Sequence, residues 1–150
     1  MFIDDILKFI GSKYTYFASL GMKYGRKIDE KNFDCIGMII YSLSQNGFKM
    51  EQFSNILSKK MYQNLTIDEI EEITAKLSNM GFKILDKNHE IQNSDILLFH
   101  INHLRLHFGV ARKKPDSIDI IHANSEVGKV VCENFDMHLK KYLIYIIRLQ

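Results

Sequence analysis

Asn32-Phe33-Asp34-Cys35-Ile36-Gly37-Met38-Ile39-Ile40 reads as a passage from loop into helix with a cysteine at the junction. Asp34 carries the short acceptor side chain that suits an N-cap. Behind it Ile36, Ile39, Ile40 and Leu43 recur along one side to about Gln45, and Gly47 is placed to stop the helix. A thiol in a first helical turn lies beside free backbone N–H groups and the positive end of the helix dipole. Both lower its pKa, and the thiolate is the nucleophilic form. The same N–H groups suit a developing oxyanion. Alone, a cysteine among apolar residues is more often a buried structural thiol, so its partners must come from elsewhere in the chain.

Upstream, Phe2, Ile6, Phe9 and Ile10 recur at helical spacing, and the pattern is expected to run on towards Leu20 before Gly21. Downstream, Met50 to Lys60 is expected to be helical. A further helix starts after Thr66, whose Glu69 completes a capping box, and turns Ile70, Ile73, Leu77 and Met80 inward before Gly81. Its acids Asp68, Glu69, Glu71 and Glu72 read as a solvated helix start favoured by the dipole, not as catalytic carboxylates.

The second half changes character. Asp95–His100, Leu106–Arg112, Ile118–His122, Lys129–Cys132 and Tyr142–Arg148 are short β-branched or aromatic runs, parted by polar turns such as Lys113-Lys114-Pro115-Asp116. Helices followed by consecutive strands predict an α+β fold, with an antiparallel sheet of about five strands packed on helices. The single proline and the lack of any linker or repeat make residues 1–150 one domain.

Composition narrows the function. The 20 Lys and Arg are interleaved with 18 acids for a net charge of +2, which gives no phosphate-tracking patch and argues against nucleic acid. No apolar run nears the roughly 20 residues that span a bilayer, so no membrane partner is expected. Asp4 and Asp5 stand where a secretion signal would be basic, so the chain is expected to be cytoplasmic as synthesised. Delivery to a cell wall or incorporation in a phage particle stays open. Two distant cysteines, Cys35 and Cys132, make no disulfide framework and no zinc motif; Cys132 reads as a core thiol. His100-x-x-His103 lacks the companion ligands of a metal site, and no cofactor is expected.

A thiol nucleophile needs an imidazole to keep it ionised and to protonate the leaving amine. Leu106-His107-Phe108-Gly109-Val110-Ala111 supplies one near the start of a strand. That imidazole in turn needs a group to fix its tautomer. Ile120-Ile121-His122-Ala123-Asn124, on the next strand, offers His122, with Asn124 of the same parity as the alternative.

Cysteine at a helix start, histidine on a strand, then a polar residue on the next strand is papain-like order. The chain resembles the NlpC-type family of bacterial cell-wall cysteine peptidases. That family's Asp-Cys-Ser-Gly-Leu-Val motif appears as Asp34-Cys35-Ile36-Gly37-Met38-Ile39, and its His-Val-Gly-Ile-Tyr strand as His107-Phe108-Gly109-Val110-Ala111. Its Ile-His-Ala strand appears as Ile121-His122-Ala123, and its Gly-Asp-Leu-Val-Phe-Phe strand as Ser94-Asp95-Ile96-Leu97-Leu98-Phe99. Tyr24, in Lys23-Tyr24-Gly25, matches a tyrosine that lines the family's site.

The resemblance spans roughly Tyr24 to Arg148 and implies a papain-like fold with Cys35 as nucleophile, His107 as base and His122 as orienter. Tyr24 and Asp34 are then the substrate-binding candidates. The implied reaction is hydrolysis of the γ-D-glutamyl–diaminopimelate bond of cell-wall stem peptides through a thioester. Three departures bear on the substrate. Ile36 replaces the serine that binds a free substrate amine, Gly25–Asn32 lacks the family's Trp-Gly-Gly, and Phe48–Glu90 lacks its Pro-Arg-x-x-x-Gln. Two other readings therefore stand beside a peptidase: a non-catalytic or phage-tail module, and an acyltransferase using the same dyad.

Overall fold

Six strands of four to nine residues form one antiparallel sheet, and the helices of the N-terminal half lie on one of its faces. The computed structural model describes residues 2–14, 32–33, 35–49, 65–101, 105–124 and 126–150. In chain order its elements are α1 (Phe2–Leu7), β1 (Lys13–Tyr14), β2 (Asn32–Phe33), α2 (Cys35–Gln45), α3 (Ile67–Asn79), β3 (Lys83–Asp86), β4 (Ile96–Ile101), β5 (Arg105–Lys113), β6 (Ile118–Asn124), β7 (Lys129–Asn134), α4 (Met137–Lys140) and β8 (Leu143–Arg148). The strand order is β2-β1-β7-β6-β5-β4-β8-β3. Every pairing from β7 to β3 is antiparallel; the two-residue β1 and β2 extend the edge and pair parallel to each other.

The five expected strands are β4 to β8. The sheet is wider than the expected five because β3 adds to β8 from Lys83↔Arg148 to Asp86↔Tyr145. With only Ile84 and Leu85 apolar, β3 is too short to show a period. The expected helix from Cys35 to Gln45 is α2, and Gly47 follows it at positive φ. The Thr66–Glu69 capping box of α3 forms in both directions. The first helix departs from expectation. It ends at Leu7, and the chain turns at Gly11, in left-handed backbone at φ +93°. There Gly11 N–H donates to Val130 O at 2.8 Å and Val130 N–H to Ser12 O at 2.8 Å. Pairing with β7 thus takes over from the helical ladder before Leu20 is reached. The expected helix over Met50–Lys60 lies outside the described residues.

Two apolar layers follow from strand alternation. Leu98, Phe108, Val110 and Ile121 meet Ile6 of α1, Met38, Ile40 and Leu43 of α2, and Ile73 and Leu77 of α3. Leu97, Phe99, Ala111 and Ile120 face the other way, with Leu143 and Ile146, under Phe135 and Leu139. Ile96 to Phe99 are buried without a break because both faces of β4 are covered.

An ion pair, buried on its Asp95 side, ties the start of β4 to the end of β8. Asp95, 1% exposed, accepts from Arg148 Nε at 2.9 Å, Arg148 Nη2 at 2.8 Å and Gln92 N–H at 2.7 Å. The residue before it, Ser94, is held at φ +73°, where an L side chain is crowded and glycine is not.

Candidate active site

His107 and His122 stand where two strands part. The β4–β5 ladder continues to Ile101↔Arg105 and the β6–β7 ladder to Asn124↔Lys129. The β5–β6 ladder between them runs only from Lys113↔Ile118 to Val110↔Ile121. Beyond that pair lie the start of β5 and the end of β6, which carry the two histidines. A cavity of about 290 Å³ opens there, lined by Cys35, His107, His122, Asn124, Glu133 and Asp136 among others. Cys35, the first residue of α2, comes to it from the helical layer; its sulfur is not in a disulfide and the residue is only 3% exposed.

The imidazoles are in direct contact. His107 Nε2 lies 2.7 Å from His122 Nδ1, with the rings edge to face at 79° and 5.0 Å between centroids. Phe99, the partner of His107 across the β4–β5 ladder, packs against its ring at 5.9 Å between centroids. Gly109 makes room for this arrangement. A Cβ there would sit 2.5 Å from Ile120 Cδ1 and 2.6 Å from Cγ1, and 3.4 Å from His122 Cβ. The bare backbone at Gly109 lets the Ile120 side chain cross beside it and leaves His122 free to lean to His107.

His122 is buried, and its outer nitrogen, Nε2, lies 2.5 Å from Glu133 Oε1. Burial lowers its pKa from the ordinary imidazole value; Glu133 pulls the other way without offsetting it, so the ring is neutral near pH 7. Asn124, the alternative orienter, is employed elsewhere. Its Oδ1 accepts from Glu126 N–H at 2.9 Å and Val127 N–H at 3.2 Å, and its Nδ2 donates to Glu133 Oε1 at 3.4 Å. It shapes the turn into β7, and His122 is the neighbour that meets His107.

Glu133 escaped the sequence reading. It follows Cys132 on an amphipathic strand and pairs with Ile120, next but one to His122. A carboxylate diagonal to a buried histidine is the only signal of it in the sequence, and it is visible once the register is known. Cys132 lies on the same strand in an opposite environment: burial and the charge of Asp119, 3.7 Å away, push its thiol up. Tyr24, Asp34 and His103 lie outside the described residues. Among the described residues, no group of three or more His, Cys, Asp or Glu is placed to hold a metal ion, and no helix is long and apolar enough to cross a membrane.

No protein-family model matches the chain, and no curated protein matches it. Solved structures do. An N-acetylmuramoyl-L-alanine amidase from Bacteroides uniformis superposes with a TM-score of 0.67 at 14% identity, over 99% of this chain and 97% of that one. A second structure of that name from the same organism gives 0.62 at 12% identity, over 99% and 98%. A Bacteroides fragilis protein described as a candidate xylanase gives 0.63 at 16% identity, over 97% and 100%. The names differ in the bond they imply, and one fold hosts many chemistries. The likeness identifies the fold, an α+β domain whose whole length is shared with these structures.

Proposed function

We propose that this protein is a cysteine-type hydrolase that cleaves an amide bond in peptidoglycan stem peptides. The observation that carries the reading is the 2.7 Å contact between His107 Nε2 and His122 Nδ1, in a cavity that Cys35 also lines. With Nε2 engaged by His122, Nδ1 is the His107 nitrogen assigned to take the thiol proton. The Cys35 thiolate adds to the substrate carbonyl carbon, and the helix N-terminus steadies the oxyanion. The His107 imidazolium gives its proton to the departing amine, and the C–N bond breaks to leave a thioester. His107 then takes a proton from water, hydroxide adds to the thioester, and the acid leaves with Cys35 restored as thiolate.

Cell-wall peptide is favoured by the resemblance of the Cys35, His107 and His122 motifs to NlpC-type peptidases and by the names of the B. uniformis structures. The polar groups in the lining, Asn124, Glu133 and Asp136, suit a charged peptide better than the acyl chain an acyltransferase would seat. The test is digestion of purified peptidoglycan and synthetic stem peptides by wild type and Cys35→Ala, with products read by mass spectrometry. New termini at the γ-D-glutamyl–diaminopimelate bond, or at the muramoyl–L-alanine bond, support the reading when Cys35→Ala forms neither. Equal product from both proteins overturns the cysteine mechanism, and none from either overturns the reading and favours a non-catalytic module on the same fold.

A further inference from the structure

We propose that Glu133 is a positioning residue that sets the direction of proton transfer at His107 by acting through His122. The inference rests on the assignment of Cys35 as nucleophile and His107 as base.

The argument is one of tautomers. An ionised carboxylate can only accept a hydrogen bond. Glu133 Oε1 lies 2.5 Å from His122 Nε2, so that nitrogen carries the proton. His122 is neutral, so its Nδ1 has a lone pair and must accept. The group it accepts from is His107 Nε2, at 2.7 Å. His107 therefore keeps its proton on Nε2, and Nδ1 holds the lone pair that removes a thiol proton. One carboxylate at the outer end of the row fixes the polarity of both rings. Without it, His122 is free to put its proton on Nδ1 and present a donor to His107, which then protonates Nδ1 and cannot act as base.

The geometry fits that role. The Glu133 side chain is 45% exposed, whereas that of His122 is 4% exposed, so the carboxylate sits at the solvent end of the row while it anchors a buried ring. Asn124 Nδ2 donates to the same Oε1 at 3.4 Å and so holds the acceptor in place. The titratable groups that line the cavity with His122 are Cys35 from α2, His107 from β5 and Glu133 from β7, with Glu126, Asp136, His138 and Tyr142 besides. Of these, Glu133 bonds to its Nε2.

The test uses the full chain, ¹⁵N-labelled at histidine, as wild type, Glu133→Ala and Glu133→Gln. Imidazole ¹⁵N shifts at pH 7.5 report which nitrogen bears each proton. Wild type is expected to show Nε2–H on both His107 and His122, and Glu133→Ala a mixture or reversal at His122. Glu133→Gln keeps a carbonyl acceptor and is expected to lie between them. In step, the kcat for amide cleavage falls about ten- to a hundredfold in Glu133→Ala with KM little changed, and less in Glu133→Gln. An Nδ1–H tautomer at His122 in wild type, or wild-type shifts in both variants, overturns the proposal. The spectra decide this whether or not Cys35 proves to be a nucleophile, so the two readings fail separately.

Discussion

His107 Nε2 and His122 Nδ1 stand 2.7 Å apart across the opening between β5 and β6. If His122 fixes the tautomer of His107, then His122→Ala lowers kcat by about 10²–10⁴ while KM changes little. His107→Ala costs at least as much. Because the two act as a unit, the double variant should be no slower than the worse single variant. Steady-state kinetics on a stem-peptide substrate checks this, and additive losses would separate the two rings functionally.

The two thiols should react at very different rates. Cys35 lies at a helix start beside an imidazole-lined cavity, whereas burial and Asp119 push the Cys132 thiol up. At pH 7, iodoacetamide should label Cys35 at least tenfold faster than Cys132 in the folded protein. Peptide mapping after a time course measures both rates at once, and similar slow rates would remove the basis for a nucleophile.

Gly109→Ala should destabilise the fold by about 1–3 kcal/mol, the usual cost of overpacking. Its Cβ would meet Ile120 Cδ1 at 2.5 Å, inside a fully buried layer. Ile120→Val removes that methyl, so the double variant should recover part of the loss. Urea denaturation of the four proteins gives the coupling, expected at about 0.5–1.5 kcal/mol; a coupling of zero would mean the clash is relieved elsewhere.

Ser94→Gly should stabilise the protein by about 1 kcal/mol, by removing a side chain from left-handed backbone at φ +73°. The thermal midpoint reads it directly, and a lower midpoint would show that the Ser94 side chain has a compensating role.

Stability should fall on mild acidification, in part through His122. Burial lowers its pKa from the ordinary value of 6.5. Above that value neither the folded nor the unfolded chain is protonated there, and the contribution is intact. As pH falls through 6.5 the unfolded chain takes up the proton first, and stability is lost down to the folded-state value. Urea unfolding at pH 7.5 and 5.5 should show a larger loss for wild type than for His122→Gln.

What the sequence discloses here follows the range of the interactions. The helix at Cys35, the capping box at Thr66 and Glu69 and the strands from Ile96 to Arg148 are set by local spacing, and they are where spacing puts them. The stop of α1 after Leu7 depends on pairing with Val130, more than a hundred residues on, and no local pattern announces it. The short β3 is made by β8, not by its own four residues. At the site, the nearness of His107 and His122 follows from strand alternation across one hairpin. Glu133 needs the register of a third strand, so its place beside His122 is a product of the folded sheet.

The opening between β5 and β6 also bears on the order in which the site is assembled. His107 and His122 are 15 residues apart, and His122 and Glu133 are 11 apart, so this acid–base row is complete once a three-strand meander has closed. Such local contacts cost little loop entropy and suit early formation. Cys35 belongs to the other half of the chain and arrives only when α2 docks on the far layer of the sheet. During synthesis the thiol emerges first and waits, without its imidazole, for the last third of the polypeptide. On the proposed mechanism, the nascent chain carries no competent nucleophile until its helical and strand halves have come together.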